Sequence, residues 1–177
     1  MAGQRLTDKT ALDEQAGSGD LLMVVDVSDS TGSAEGTSKK QDFKYVIQTD
    51  KFSLNNTEVQ ALNTTPKTLV GALSGYMVTP YCVTVIVTYD TTAESSNSNL
   101  YFGYEPTVDT TYWDYSSRFN GLLATDNTYV FSGGTPSSKG VLSASILNKP
   151  FSMWSNAAFN GGWSCDVYVT YAYTKIL

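Results

Sequence analysis

Trp163-Ser164-Cys165-Asp166-Val167-Tyr168-Val169-Thr170-Tyr171-Ala172-Tyr173 places Trp163, Cys165, Val167, Val169, Tyr171 and Tyr173 at every second position. Successive side chains of an extended strand point to opposite faces, so this spacing predicts a long strand with one apolar side. Tyr81-Cys82-Val83-Thr84-Val85-Ile86-Val87-Thr88-Tyr89 repeats the pattern. It predicts a second long strand with Tyr81, Val83, Val85, Val87 and Tyr89 on one face. Ile86 and Tyr168 fall on the opposite faces, which carry β-formers rather than charges. That mixed face predicts a cover, most economically a symmetric copy of the chain.

Shorter strands are expected between these two, at 100–104, 111–115, 128–131 and 141–147. Gly133-Gly134-Thr135-Pro136 and Asn160-Gly161-Gly162 supply breaks. Short strands at such intervals predict an all-β fold, an antiparallel β-sandwich or jelly roll. Residues 1–65 hold ten of the seventeen acidic residues but only three aromatics, Phe43, Tyr45 and Phe52. So apolar-poor a segment cannot bury a core alone. A boundary is therefore expected between Asn63 and Lys67, giving an N-terminal segment 1–66 and a C-terminal domain 67–177.

In the N-terminal segment, Leu21-Leu22-Met23-Val24-Val25-Asp26-Val27 reads as a strand. A turn at Asp29–Ser33 and a second strand within Gly36–Ile47 complete a hairpin, which is marginal in water without a partner surface. Asp26 and Asp29 with Ser30, Thr31 and Ser33 offer oxygens, but the spacing is not that of a calcium loop, and a solvated turn is expected. A short helix is expected over Ser53–Leu62, capped by Ser53 or Asn55, supported by Glu58, with Val59 and Leu62 on one side.

The chain has no histidine, which excludes His-based triads, proton shuttles and metal ligation. Two cysteines without histidine argue against zinc, and Cys82 and Cys165 read as buried reduced thiols. Paired-carboxylate chemistry stays open, but Asp90, Glu94, Glu105, Asp109, Asp114, Asp126 and Asp166 lie mostly in turn-like sequence. No catalytic, cofactor or metal residue is therefore assigned, and no enzymatic activity is expected. A net charge of -6, with Lys39-Lys40 the only adjacent basic pair, argues against nucleic acid. No apolar run is long enough to span a membrane. Leu21–Val25 is too short for a signal-peptide core, so synthesis and assembly in a cytoplasm are expected.

Two segments resemble known families. Leu6-Thr7-Asp8-Lys9-Thr10-Ala11-Leu12, Gly19–Asp29 and Gly36-Thr37-Ser38-Lys39-Lys40 are similar to the virion-attachment module of tailed-bacteriophage fibre and head-associated proteins. Leu147–Phe151 with Asn160–Tyr171 resembles the closing strands of small trimeric phage jelly rolls. The resemblance implies a structural virion protein: a homotrimeric head fibre or capsid decoration protein with a TNF-like jelly-roll knob. Its implied partners are capsid, portal-proximal or tail proteins. No heptad or triple-helical shaft is present, which favours a short spike over a long fibre. On this reading Asp8, Leu21, Val25, Asp26, Asp29, Lys39 and Lys40 attach to the particle, the Leu21–Val27 strand joining a partner sheet.

Trp113-Asp114-Tyr115 and Trp154 could instead contact a host surface glycan, since aromatic rings stack on sugar faces. The same tryptophans also suit a core or interface role. The alternatives are a tail fibre or receptor-binding adhesin, and a free-standing carbohydrate-binding module. A glycan-cleaving enzyme would need a paired-carboxylate cleft.

Overall fold

The computed structural model describes residues 21–32, 34, 36–42, 46–90, 92–96, 98–104, 117–118, 128–133 and 146–175. Among these the chain is all-β and antiparallel, with one short helix. It divides between Val46 and Ile47 into two compact units.

The first unit contains a single hairpin among the described residues. Strand β1 (Leu21–Asp26) pairs with β2 (Thr37–Asp42), Met23 opposite Lys40 and Val25 opposite Ser38. The turn is built from side chains. The Asp26 carboxylate accepts from the Ser28 N–H and hydroxyl, and Asp29 does the same for Thr31. Such local bonds are what Asp contributes to turns. Gly36 closes the loop at φ 114°, where a Cβ would stand 2.8 Å from the Asp26 carbonyl oxygen.

Among the described residues the second unit holds eight strands and the helix. They are β3 (Gln48–Leu54), α1 (Asn56–Gln60), β4 (Lys67–Val70), β5 (Tyr76–Tyr89), β6 (Asn99–Gly103), β7 (Ser117–Arg118), β8 (Thr128–Gly133), β9 (Phe151–Ser155) and β10 (Trp163–Lys175). Two four-stranded sheets result, in the orders β3-β10-β5-β8 and β4-β9-β6-β7. The antiparallel pairs are nested: β3 with β10, β4 with β9, β5 with β8, β6 with β7. Pairing of β10 with β5 and of β9 with β6 completes each sheet.

One core joins the inner faces. Val83, Val85, Val87, Val167 and Val169 from the first sheet meet Leu100, Phe102, Phe151 and Met153 from the second, all buried in a single cluster. The arrangement is sandwich-like, with alternating inward side chains supplied by both layers. Tyr104 crosses between the layers, donating its hydroxyl to the Val78 carbonyl at 2.6 Å while its ring meets Phe151 edge-on.

The boundary expected near Pro66 is corrected to Val46/Ile47. Strand β3 pairs along β10 from Cys165–Leu54 to Tyr171–Gln48, and Val59 and Leu62 of the helical segment are fully buried in the common core. Segment 47–66 contributes few large apolar residues, but Leu54, Val59 and Leu62 sit in the core and Phe52 packs against it. The helix forms where expected, with Asn55 as its cap: the Asn55 side chain accepts from the Glu58 N–H, and the Glu58 carboxylate accepts from the Asn55 N–H. Ser53, the other expected cap, lies in β3. Asn55→Ala is expected to cost about 1 kcal/mol in denaturant unfolding.

Two local expectations are also corrected. Tyr81 is exposed rather than inward, because Cys82 pairs with Thr170 while Pro80 pairs with Tyr171, leaving Tyr81 as an extra residue. Such a bulge reverses side-chain parity, so Val78 and Pro80 face inward on one side of it and Val83, Val85 and Val87 on the other. The strand expected over 141–147 does not extend through its end. Ile146–Asn148 is a turn in which Asn148 takes φ 58° and its side chain accepts from the Gly75 N–H at 2.6 Å. Residues 141–145, and the strand expected at 111–115, lie outside the described residues. Cys165 is buried on the inner face and Cys82 is half-buried on the outer one, so the two free thiols lie on opposite sides of the sheet.

Candidate functional site

The attachment residues expected on the hairpin come together in part. Lys39 Nζ lies 2.8 Å from Asp26 Oδ2 and 2.8 Å from Asp29 Oδ2, bridging strand and turn. The Lys39 ammonium, followed by the Ser28 and Thr31 hydroxyls, holds the Asp26 and Asp29 carboxyls down at about 2. These oxygens, which a cation would need, are therefore already occupied by Lys39 and local donors. Lys39→Ala is expected to return both carboxyls toward the ordinary range. Side-chain carboxyl titration by NMR reads this directly.

Lys40 sits opposite Met23, on the other face from Lys39. Leu21 begins β1 opposite Asp42. Val25 is 57% exposed, between Met23 at 66% and Val27 at 78%. Met23 and Val25 share one face of β1 and Val27 follows in the turn, so an apolar stripe is exposed on a two-stranded ribbon. Asp8 lies outside the described residues.

Trp113, Asp114 and Tyr115 lie outside the described residues. Trp154 is only 6% exposed, its indole stacked on Tyr101 at a centroid distance of 6.0 Å. A ring in that position offers no face to a sugar, so the expected glycan contact at Trp154 is corrected to a packing role.

The outer face of β3-β10-β5-β8, expected to need a cover, carries cross-strand contacts between β3 and β10. Asp166 accepts from Ser53 at 2.6 Å and from Lys51 at 2.9 Å, Thr49 bonds Thr170, and the Lys51 ammonium lies 5.8 Å from the Tyr168 ring centroid. Cross-strand pairs of this kind account for the β-formers there. Beside this face, a shallow groove of about 370 Å³ is lined by Ser53, Asn55, Glu58, Thr88, Ser164 and Asp166. Its two carboxylates are both engaged. Ser53, then Lys51, hold Asp166 below its usual range, and the Asn55 N–H, then Lys67, do so for Glu58. A glycosidase requires one carboxyl raised enough to donate a proton, and neither of these fits.

The most fully built polar site was not legible beforehand. Glu94 is 3% exposed. Its carboxylate accepts from Trp163 Nε1 at 2.9 Å, the Gly161 N–H at 2.8 Å, the Ser96 N–H at 2.8 Å and the Asn160 N–H at 3.2 Å. Burial alone would raise this carboxyl, but bonds from Ser96, Trp163 and Gly161 outweigh it and hold it low. Around it Gly162 donates to the Thr92 carbonyl, Asp90 donates to the Gly162 carbonyl, and the Ser98 hydroxyl donates to the Ala158 carbonyl. The two loops so joined, β5–β6 and β9–β10, are crossovers between the sheets, and Glu94 fastens them to each other. Gly161 must be glycine, since a Cβ would come within 2.8 Å of the Trp163 ring and 3.0 Å of Glu94. An ionised carboxylate saturated with donors is a structural clamp, with no proton to give and little affinity for one.

No family model, no curated protein and no solved structure matches this chain.

Proposed function

We propose that the chain is a non-enzymatic structural protein of a tailed-bacteriophage particle, a trimeric head fibre or capsid decoration protein whose hairpin docks to the virion and whose body is displayed. The observation that carries this reading is the division of labour between the units. The body buries its own core, while the hairpin leaves Met23 and Val25 exposed on β1 and Val27 exposed in the turn that follows. A two-stranded ribbon with an apolar stripe needs a surface to rest on. The nested pairing and the sheet orders β3-β10-β5-β8 and β4-β9-β6-β7 support a jelly roll, an architecture of eight strands in two sheets used by viral capsid and lectin domains. TNF-like trimerisation follows from the family resemblance of the closing strands.

The carboxylates of the groove and the Glu94 clamp are committed to structural bonds, which favours a scaffold over a glycan-cleaving enzyme. Light scattering on the chain from Ile47 onward tests the trimer, since every member of the core cluster lies at Leu54 or beyond. The expected mass is three times that of the truncated chain. A monomer would remove the trimeric knob from the proposal.

A further inference from the structure

We propose that the free edge of β1 pairs antiparallel with β1 of a second copy about a two-fold axis at Val24, forming a continuous sheet β2-β1-β1-β2. The inference rests on reading the hairpin as an interaction element and names its partner. Among the described residues β1 is bonded along one edge only, to β2. The two strands differ in how their edges are guarded. Strand β2 carries Lys39, Lys40, Gln41 and Asp42, the charged composition that discourages edge-to-edge pairing. Strand β1 runs Leu21-Leu22-Met23-Val24-Val25 without proline or bulge, and its one charge, Asp26, stands at its end and is paired with Lys39.

A self-pairing is favoured because the strand complements itself. With the axis at Val24, Met23 faces Val25 of the other copy, while Asp26 faces Leu22. In the favoured register Asp26 keeps Lys39 of its own chain as counter-ion. The exposed Met23, Val25 and Val27 of both copies then form one contiguous patch, flanked by Ser38 and Lys40 on each outer strand. An apolar centre with a polar rim is the usual anatomy of an interface. Four strands also pass the threshold at which a sheet becomes independently stable, which two do not reach.

The test is proximity cross-linking in the full chain, with Cys82→Ser removing the half-exposed thiol. Val24→Cys lies opposite its own copy, with Cα atoms roughly 5 Å apart across an antiparallel pair. Ser28→Cys lies in the turn beyond the end of β1, where the two copies of Asp26 are already about 13 Å apart at roughly 3.3 Å per residue. A short bismaleimide is expected to cross-link Val24→Cys to a covalent dimer and to leave Ser28→Cys at least tenfold less linked. Val25→Lys is expected to halve the mass of the full chain in light scattering, from two trimers joined through their hairpins to one, with the thermal transition of the body unchanged to show that it still folds. Equal linking at both positions, linking at neither, or an unchanged mass for Val25→Lys would overturn the pairing. Particle association is read separately, so the pairing can fail while the proposed function stands.

Discussion

Glu94→Ala is expected to destabilise the body by about 3–5 kcal/mol, because each buried donor left without its acceptor costs about 1–3 kcal/mol and removing a buried charge partner is comparably severe. The donors stranded are the Trp163 indole N–H and the N–H groups of Gly161, Ser96 and Asn160. Denaturant unfolding monitored by tryptophan fluorescence measures the loss, and a change below about 1 kcal/mol would mean that water replaces the carboxylate without cost. Glu94→Gln isolates the charge. Because the folded protein holds this carboxyl below its ordinary value, its contribution is fully present above the ordinary carboxylate pKa and is lost as pH falls through the folded value. Between pH 7 and pH 3 the wild-type chain should therefore lose more stability than Glu94→Gln. Equal losses would show that other carboxyls carry the acid sensitivity.

Trp163→Ala is expected to cost at least as much, about 3–5 kcal/mol for the lost packing, with a further penalty for the unpaired Glu94 oxygen. Trp163 is fully buried, with Phe159 edge-on at a centroid distance of 4.9 Å and Tyr89 tilted at 6.1 Å. Trp163→Phe keeps most of the volume and removes the N–H. A double-mutant cycle of Trp163→Phe with Glu94→Gln should return a coupling of about 1 kcal/mol or more, as groups sharing one buried bond do not add. Additive losses would place the two residues in separate roles. Together these variants ask whether one carboxylate fastens both crossovers at that end of the sandwich.

The two long strands were legible because period-two alternation survives wherever one face is buried. Trp163 to Tyr171 and Val83 to Tyr89 read directly from their spacing. Tyr81 broke the reading because a bulge changes parity without any mark in the alternation itself. Strand β9 was missed because Phe151–Ser155 is buried on both sides and so shows no alternation at all. Strand β3 was missed for the opposite reason: Gln48-Thr49-Asp50-Lys51 looks solvated, and only its pairing with β10 makes it part of the body. The capping box at Asn55 and Glu58 was readable since it is local. Glu94 was not, because its partners lie near residue 160 and only the fold brings them together. On the hairpin, the Asp26, Asp29 and Lys39 cluster followed from a readable turn, and the exposure of Met23, Val25 and Val27 is the feature on which the proposed docking rests.

The copy number of the chain in gradient-purified particles, produced from the genome that encodes it, tests the docking role most directly. Quantitative mass spectrometry of wild-type particles is expected to find the chain at a fixed number per particle, a multiple of three. Particles carrying Met23→Lys with Val25→Lys should lose it while the body of the variant still folds. A chain absent from wild-type particles, or one retained undiminished when the exposed stripe is charged, would contradict the account.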